Sequence, residues 1–237
     1  MLKKHLFTKD NKPNVLHDLG PLYHKYSFFG VDNDQLPGMF ELNQKAKEPI
    51  IVAYIAYAIA KSKIKTSESV SFTELFCADG FYAMVALRLG CNRSIGIDSN
   101  KSRYFKKARP IAERFGFNNI EFIKEKISPT SLFLPTDIVA NVGGLYHVDE
   151  PQKILELSYT MAKKYLIVQS VVSLATNDDK YFMSPAPGWT WGNRFSRQSF
   201  DKMIKKICPN IIDQHFNELE GNKSLNNRGS VYYLIKK

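Results

Sequence analysis

The 237-residue chain has only three cysteines, Cys77, Cys91 and Cys208, an odd number without the spacing of paired metal ligands. That argues against a disulfide framework or a zinc site and predicts plain buried thiols in a reduced, cytoplasmic protein with no metal. Long apolar runs are missing too. The longest, Pro49 to Ala60, stops at Lys61, short of the roughly 18 residues needed to span a bilayer, so no membrane segment is expected. Met1 to Phe7 carries positive charge but no sustained apolar stretch before Asp10, unlike a signal peptide. Negative charge is scarce, with 23 Asp+Glu against 33 Lys+Arg and a formal net charge of +10. Such a surplus permits an anionic partner, most obviously RNA, without requiring one, because lysines scattered among asparagines and isoleucines can equally reflect genomic base composition.

What is present suits one well-buried α/β unit with an N-terminal extension, divided at residues 1–65 and 66–237. Residues 1–48 read as irregular, broken by Pro13, Gly20, Pro21, Gly30, Pro37 and Gly38 but rich in aromatics at Tyr23, Tyr26, Phe28, Phe29 and Phe40. An aromatic content that high predicts an ordered arm that covers the core edge or closes over a ligand. Pro49 to Lys63 reads as a helix lying on the sheet.

The chain is organised around Phe72 to Gly90. The run Phe72 to Phe76 predicts a buried strand, Cys77-Ala78-Asp79-Gly80 a tight turn, and the following apolar positions a helix that stops at Gly90. Strand, turn and helix N-terminus bring free N–H groups and a positive dipole end to the carboxyl edge of a sheet, which makes a crevice for a nucleotide-type ligand. A second strand, Ser94 to Ile97, ends in Asp98. That is 24 residues after Glu74, near the offset of about 20 at which an acid meets a ribose diol. Further on, a helix is expected from Lys101 to Phe115 with Pro110 as a kink, then a strand from Ile120 to Ile123. A fourth strand from Asp137 leads into Asn141, Gly143, Tyr146 and His147 at the same edge. Leu166 to Val172 is a fifth strand, Ser199 to Ile207 a helix, and Ile211 to Phe216 and Val231 to Leu234 the last strands.

These residues resemble the class I S-adenosylmethionine (SAM) methyltransferases, whose first motif runs acid, x, Gly, x, Gly, x, Gly. Here Glu74 is the acid, and Phe76 and Ala78 stand at two of the three glycine positions, leaving Gly80. A phenylalanine there predicts ordinary backbone angles. The resemblance implies a Rossmann-like fold with a seven-stranded, mostly parallel sheet, helices on both faces and an antiparallel last strand. It also implies SAM as cofactor, held by Glu74, Cys77, Ala78, Asp79, Gly80, Asp98, Ser99, Asn141 and Gly143. The Asp that often binds adenine after the third strand is replaced by Lys124-Glu125-Lys126-Ile127, so adenine recognition would fall near Ile127.

The string Gly143 to Pro151, GGLYHVDEP, is similar to the fourth motif of the methyltransferases acting on tRNA wobble uridine, in the uridine-5-oxyacetic acid pathway. Lys25 to Asp32 looks like the lysine-aromatic-glycine stretch ahead of the core in that family. This implies a tRNA or a small-molecule acceptor, and transfer of a methyl or carboxymethyl group. For a carboxylated SAM, the family's lysine, tyrosine and arginine map onto Lys25, Tyr146 and Arg228.

In-line methyl transfer asks mainly for alignment. If a hydroxyl is the nucleophile, His147 or Tyr146 could take its proton, with a purely structural hydrogen bond as the rival role of His147. Trp189, Trp191 and Arg194 could stack and orient a planar acceptor, or merely cap the core. Two further classes stay open. A nicotinamide oxidoreductase is disfavoured by the absent Gly-x-Gly-x-x-Gly spacing, while loss of two turn glycines speaks for a catalytically silent binding protein.

Overall fold

The computed structural model describes residues 15–63, 69–99 and 103–237. The expectations for the segment before Asp10, for a boundary at residue 65 and for a helix start at Lys101 lie outside the described residues.

Nine strands and five α-helices are present among the described residues. The strands are β1 (Ser71–Leu75), β2 (Arg93–Asp98), β3 (Ile120–Lys124), β4 (Thr136–Val142), β5 (Ala162–Val172), β6 (Phe182–Met183), β7 (Arg194–Phe195), β8 (Ile211–Glu218) and β9 (Gly229–Lys236). The helices are α1 (Met39–Ser62), α2 (Phe81–Arg88), α3 (Phe105–Arg114), α4 (Pro151–Met161) and α5 (Arg197–Ile207). Seven strands form one sheet in the order β3-β2-β1-β4-β5-β9-β8, and β6 pairs with β7 in a small ribbon. Within the large sheet only β9 runs against its neighbours, as the antiparallel pairs β5–β9 and β8–β9 show. This is the expected mixed α/β fold with a mostly parallel sheet.

Burial follows position in the sheet. The inner strands β4 and β9 are buried along nearly their whole length, whereas the edge strands β3 and β8 alternate or lie open. Strands covered on both faces need continuous apolar sequence, and the IVA of β4 and LIV of β5 supply it. One face, with Phe72, Ile138, Ala140 and Ile167, packs under α1 and α2; the other, with Ile97, Val139, Leu166 and Val168, packs under α4 and α5. Adjacent β1 and β4 form the point at which strand order reverses, where open α/β sheets bind ligands.

Helix α1 starts ten residues before the expected Pro49, which lies inside it. Residues 39–48 carry no apolar stripe, so periodicity could not reveal them. Tertiary bonds hold them instead: Gln44 accepts from Lys25 N at 2.8 Å and donates to Lys25 O at 2.8 Å. Pro110 likewise sits inside α3 without ending it. No described helix is long and apolar enough to cross a membrane.

Candidate active site at the carboxyl edge of the sheet

The β1–α2 turn keeps a glycine-type path without the glycines. Phe76 and Ala78 have φ of 60° and 48°, and Gly80 has φ of 78°. This corrects the expectation of ordinary angles at Phe76. Left-handed backbone costs a non-glycine residue about 1–2 kcal/mol, and the surroundings impose it. Cys77 N donates to Ile97 O at 3.1 Å, and the Phe76 ring lies so close on Gly144 that a Cβ there would fall 1.9 Å from Phe76 Cδ2. Ring and glycine thus join the first turn to the fourth.

Two turn carboxylates have structural work. Glu74, buried under α2, accepts from Ala83 N at 2.7 Å and so caps the first helical turn. Burial pushes its carboxyl well above the usual range. Asp79, fully buried, takes His24 Nδ1 at 2.5 Å and His24 N at 3.0 Å. The N-terminal arm is therefore bolted to the turn, with the His24 ring stacked on Phe81 at 4.8 Å and Tyr26 OH donating to Asp79 O at 3.1 Å.

Asp98 ends β2 beside the turn, its Oδ2 3.0 Å from Ala78 N, and Ser99 follows it. Cys77 is buried and its thiol is pushed up by that burial. Ile127 is buried in the core of the α4/α5 face. Asn141 donates to Ser158 Oγ at 2.9 Å, leaving its buried Oδ1 without a hydrogen-bond partner. Gln169 Oε1 is another such buried acceptor. A Cβ at Gly143 (φ 72°) would lie 3.8 Å from it and 3.7 Å from Tyr146 OH.

After β4, the 3-10 turn Leu145–His147 meets the loop between β6 and β7. Asn193 splints the two, donating from Nδ2 to Leu145 O and Val148 O, each at 2.7 Å. Gly192 (φ 71°) comes so near that a Cβ would sit 2.5 Å from Tyr146 O. The result is an aromatic wall. His147 stacks on Trp191 at 5.0 Å and 26°, Tyr146 touches His147 at 4.0 Å, and Trp189 lies 4.6 Å from Trp191. The Arg194 guanidinium is 5.1 Å from the Tyr146 ring and 4.8 Å from the Trp189 ring. Desolvation of the ring first, then the Arg194 and Lys47 charges, lower the His147 pKa to about 3, so the imidazole is neutral near pH 7 and only weakly basic, although part of the residue stays exposed.

Tyr146, His147, Trp189, Trp191 and Arg194 therefore come together. Lys25 and Arg228 do not join Tyr146 through any described hydrogen bond, ion pair or ring contact. Lys25 Nζ is held by Asp32 at 2.5 Å and Asn33 O at 2.6 Å. Arg228 Nε lies 2.7 Å from Glu218 Oε2, off the hydrogen-bond line. Two residues of the arm escaped the sequence reading as site neighbours: Tyr23 and His24. Tyr23 sits against Tyr104 and Phe40, its phenol pushed up by burial and by nearby Tyr146 and Asp79. The aromatic density of the arm was its only signal.

No protein-family model matches the chain, and no curated protein matches it. Solved structures do. The N-terminal domain of EvdMO1 with S-adenosylhomocysteine bound aligns over 92% of this chain and 92% of its own, at 13% identity and TM-score 0.63. Magnesium protoporphyrin IX methyltransferase (ChlM) from Synechocystis with SAM bound aligns over 85% of each chain, at 11% identity and TM-score 0.59. The [4+2]-cyclase SpnF aligns over 77% of this chain and 80% of its own, at 14% identity and TM-score 0.57. The fold is that of the class I methyltransferases. SpnF, a cyclase, shows that this fold alone does not settle the reaction.

Proposed function

We propose that the chain is a SAM-dependent methyltransferase. The observation that carries this is Asp98 at the end of β2, 3.0 Å from Ala78 N, beside a turn that holds φ of 60° and 48° at Phe76 and Ala78. Strained backbone of this kind is retained where a ligand approaches it, and an acid at that place suits a ribose diol. The orphaned Oδ1 of Asn141 at the adjoining strand end adds an acceptor beside the same crevice. Bound there, SAM supplies an electrophilic methyl group.

The chain's own part is to hold and align the reactants. Asp98 would hold the cofactor and the aromatic wall would orient the acceptor, while the acceptor's proton would pass to water, because His147 with its lowered pKa is a weak base. Lys25 and Arg228 are engaged with Asp32 and Glu218, so ordinary rather than carboxylated SAM is the cofactor of this proposal. For the acceptor, the Gly143–Pro151 string and the +10 charge favour a tRNA wobble uridine.

Calorimetric titration with SAM tests the assignment. Asp98→Ala should weaken binding at least tenfold, while Glu74→Gln, which keeps an acceptor for Ala83 N, should leave it within a few-fold. Unchanged affinity in Asp98→Ala sinks the cofactor site.

A further inference from the structure

Three hydrogen bonds from the N-terminal arm converge on one residue of the β1–α2 turn. His24 Nδ1 meets Asp79 Oδ1 at 2.5 Å, His24 N donates to Asp79 Oδ2 at 3.0 Å, and Tyr26 OH donates to the Asp79 carbonyl at 3.1 Å. All three residues are buried, and the His24 and Tyr26 rings pack on Phe81 at 4.8 and 5.3 Å. The arm is also braced on its own side. Asn33 Nδ2 donates to His24 O at 3.0 Å, and Tyr26 N donates to Asn33 Oδ1 at 2.7 Å.

Ala78 directly precedes Asp79 and holds φ of 48°. Phe76 has its own restraint, the seat of its ring on Gly144. A methyl group offers no such grip, so the angle at Ala78 is fixed through its chain neighbours: Cys77 N on Ile97 O at 3.1 Å before it, and the clasped Asp79 after it. The N–H of Ala78 in turn donates to Asp98 Oδ2 at 3.0 Å. The path from arm to crevice therefore runs through His24, Asp79, Ala78 and Asp98, each joined to the next by a hydrogen bond or a peptide bond.

We propose that His24 is a positioning residue for the cofactor. By clasping Asp79 it keeps Ala78 on its left-handed path and so sets the direction of Asp98, acting through the turn and not by contact with the ligand. This rests on the methyltransferase reading for the identity of that ligand. With the clasp released, Ala78 relaxes to an ordinary angle and only a fraction of the molecules keep a competent turn. The cost of left-handed backbone at a non-glycine residue sets that fraction, which lowers the apparent SAM affinity by about five- to thirtyfold.

The test is calorimetric titration with SAM, alongside hydrogen exchange of the Ala78 amide followed by NMR in the ligand-free protein. His24→Ala should weaken binding by about five- to thirtyfold. Tyr26→Phe, which removes one bond and keeps the ring, should weaken it a few-fold, and it carries the test if His24→Ala does not fold. His24→Asn, whose amide can donate to Asp79 Oδ1 in place of the imidazole, should recover most of the loss. Ala78→Gly added to either weakened variant should also recover most of it, because glycine follows the left-handed path without being held; an arm that merely stabilises the fold predicts no such rescue. Unchanged SAM affinity in the clasp variants, or a loss that Ala78→Gly does not relieve, overturns the proposal. If the unaltered protein takes no SAM, the methyltransferase reading falls and exchange decides the clasp: a faster Ala78 amide in Tyr26→Phe sustains it, and an unchanged rate overturns it.

Discussion

His24 Nδ1 lies 2.5 Å from Asp79 Oδ1, and the two residues are 55 positions apart in the chain. The pair joins the N-terminal arm to the turn that shapes the crevice, and both side chains are almost wholly removed from water. The arm is therefore part of the site's wall. Tyr23, next to His24, packs edge-on against its ring at 4.8 Å and against Phe40 at 5.2 Å.

Breaking that pair from one side leaves a buried charge or dipole without a partner. His24→Ala should cost about 3–5 kcal/mol, the usual penalty for removing one member of a buried pair. Asp79→Asn should cost less, since an amide oxygen can still accept from His24 N. In a double-mutant cycle by denaturant unfolding, the two losses should be clearly less than additive. Additive losses would mean that arm and turn are held independently.

Phe122 sets a second constraint that can be tested sterically. A Cβ at Gly96 would lie 2.8 Å from Phe122 Cδ1, and one at Gly80 2.5 Å from Phe122 Cε1, but only Gly80 also has positive φ, at 78°. Gly96→Ala should destabilise by about 1–3 kcal/mol through overpacking, and placing it in a Phe122→Leu background should remove the ring's share of that cost and leave the tighter contact with Cys77 Sγ at 3.0 Å. Gly80→Ala should keep a residual of about 1–2 kcal/mol in the same background, because strain in the left-handed region does not depend on the neighbour. Equal rescue of both alanines would show that φ at Gly80 carries no energetic weight.

The sheet strands and both edge turns were readable because apolar runs, a stop at Gly90 and an acid at Asp98 are local signals, whereas the strand order is not a local property and came only with the fold. The first half of α1 was not, because Gln44 and Asn43 are buried by contacts with Lys25 and Asn222 that only the folded chain brings near. The same limit explains Phe76. Its side chain type argues for ordinary angles, and only the ring's seat on Gly144 reverses that. Around the fourth turn, GGLYH and the two indoles stand out by composition, whereas nothing local to His24 signals its contact with Asp79. Spacing also offered Lys25 and Arg228, which the fold ties to Asp32 and Glu218.

Lys47 gives the sharpest pH signature. Its folded pKa, about 8, lies below the ordinary 10.5, so the unfolded chain binds a proton there that the folded chain binds less readily. The resulting penalty is present in full below pH 8, shrinks between 8 and 10.5 as stability rises with pH, and is gone above that range. Lys47→Met should therefore raise stability at pH 7 by roughly 1–3 kcal/mol, and the gain over the unaltered protein should fade toward pH 10.5. Unfolding free energies measured across that window check it; a constant difference, or a loss at pH 7, would mean that the ammonium is solvated or paired.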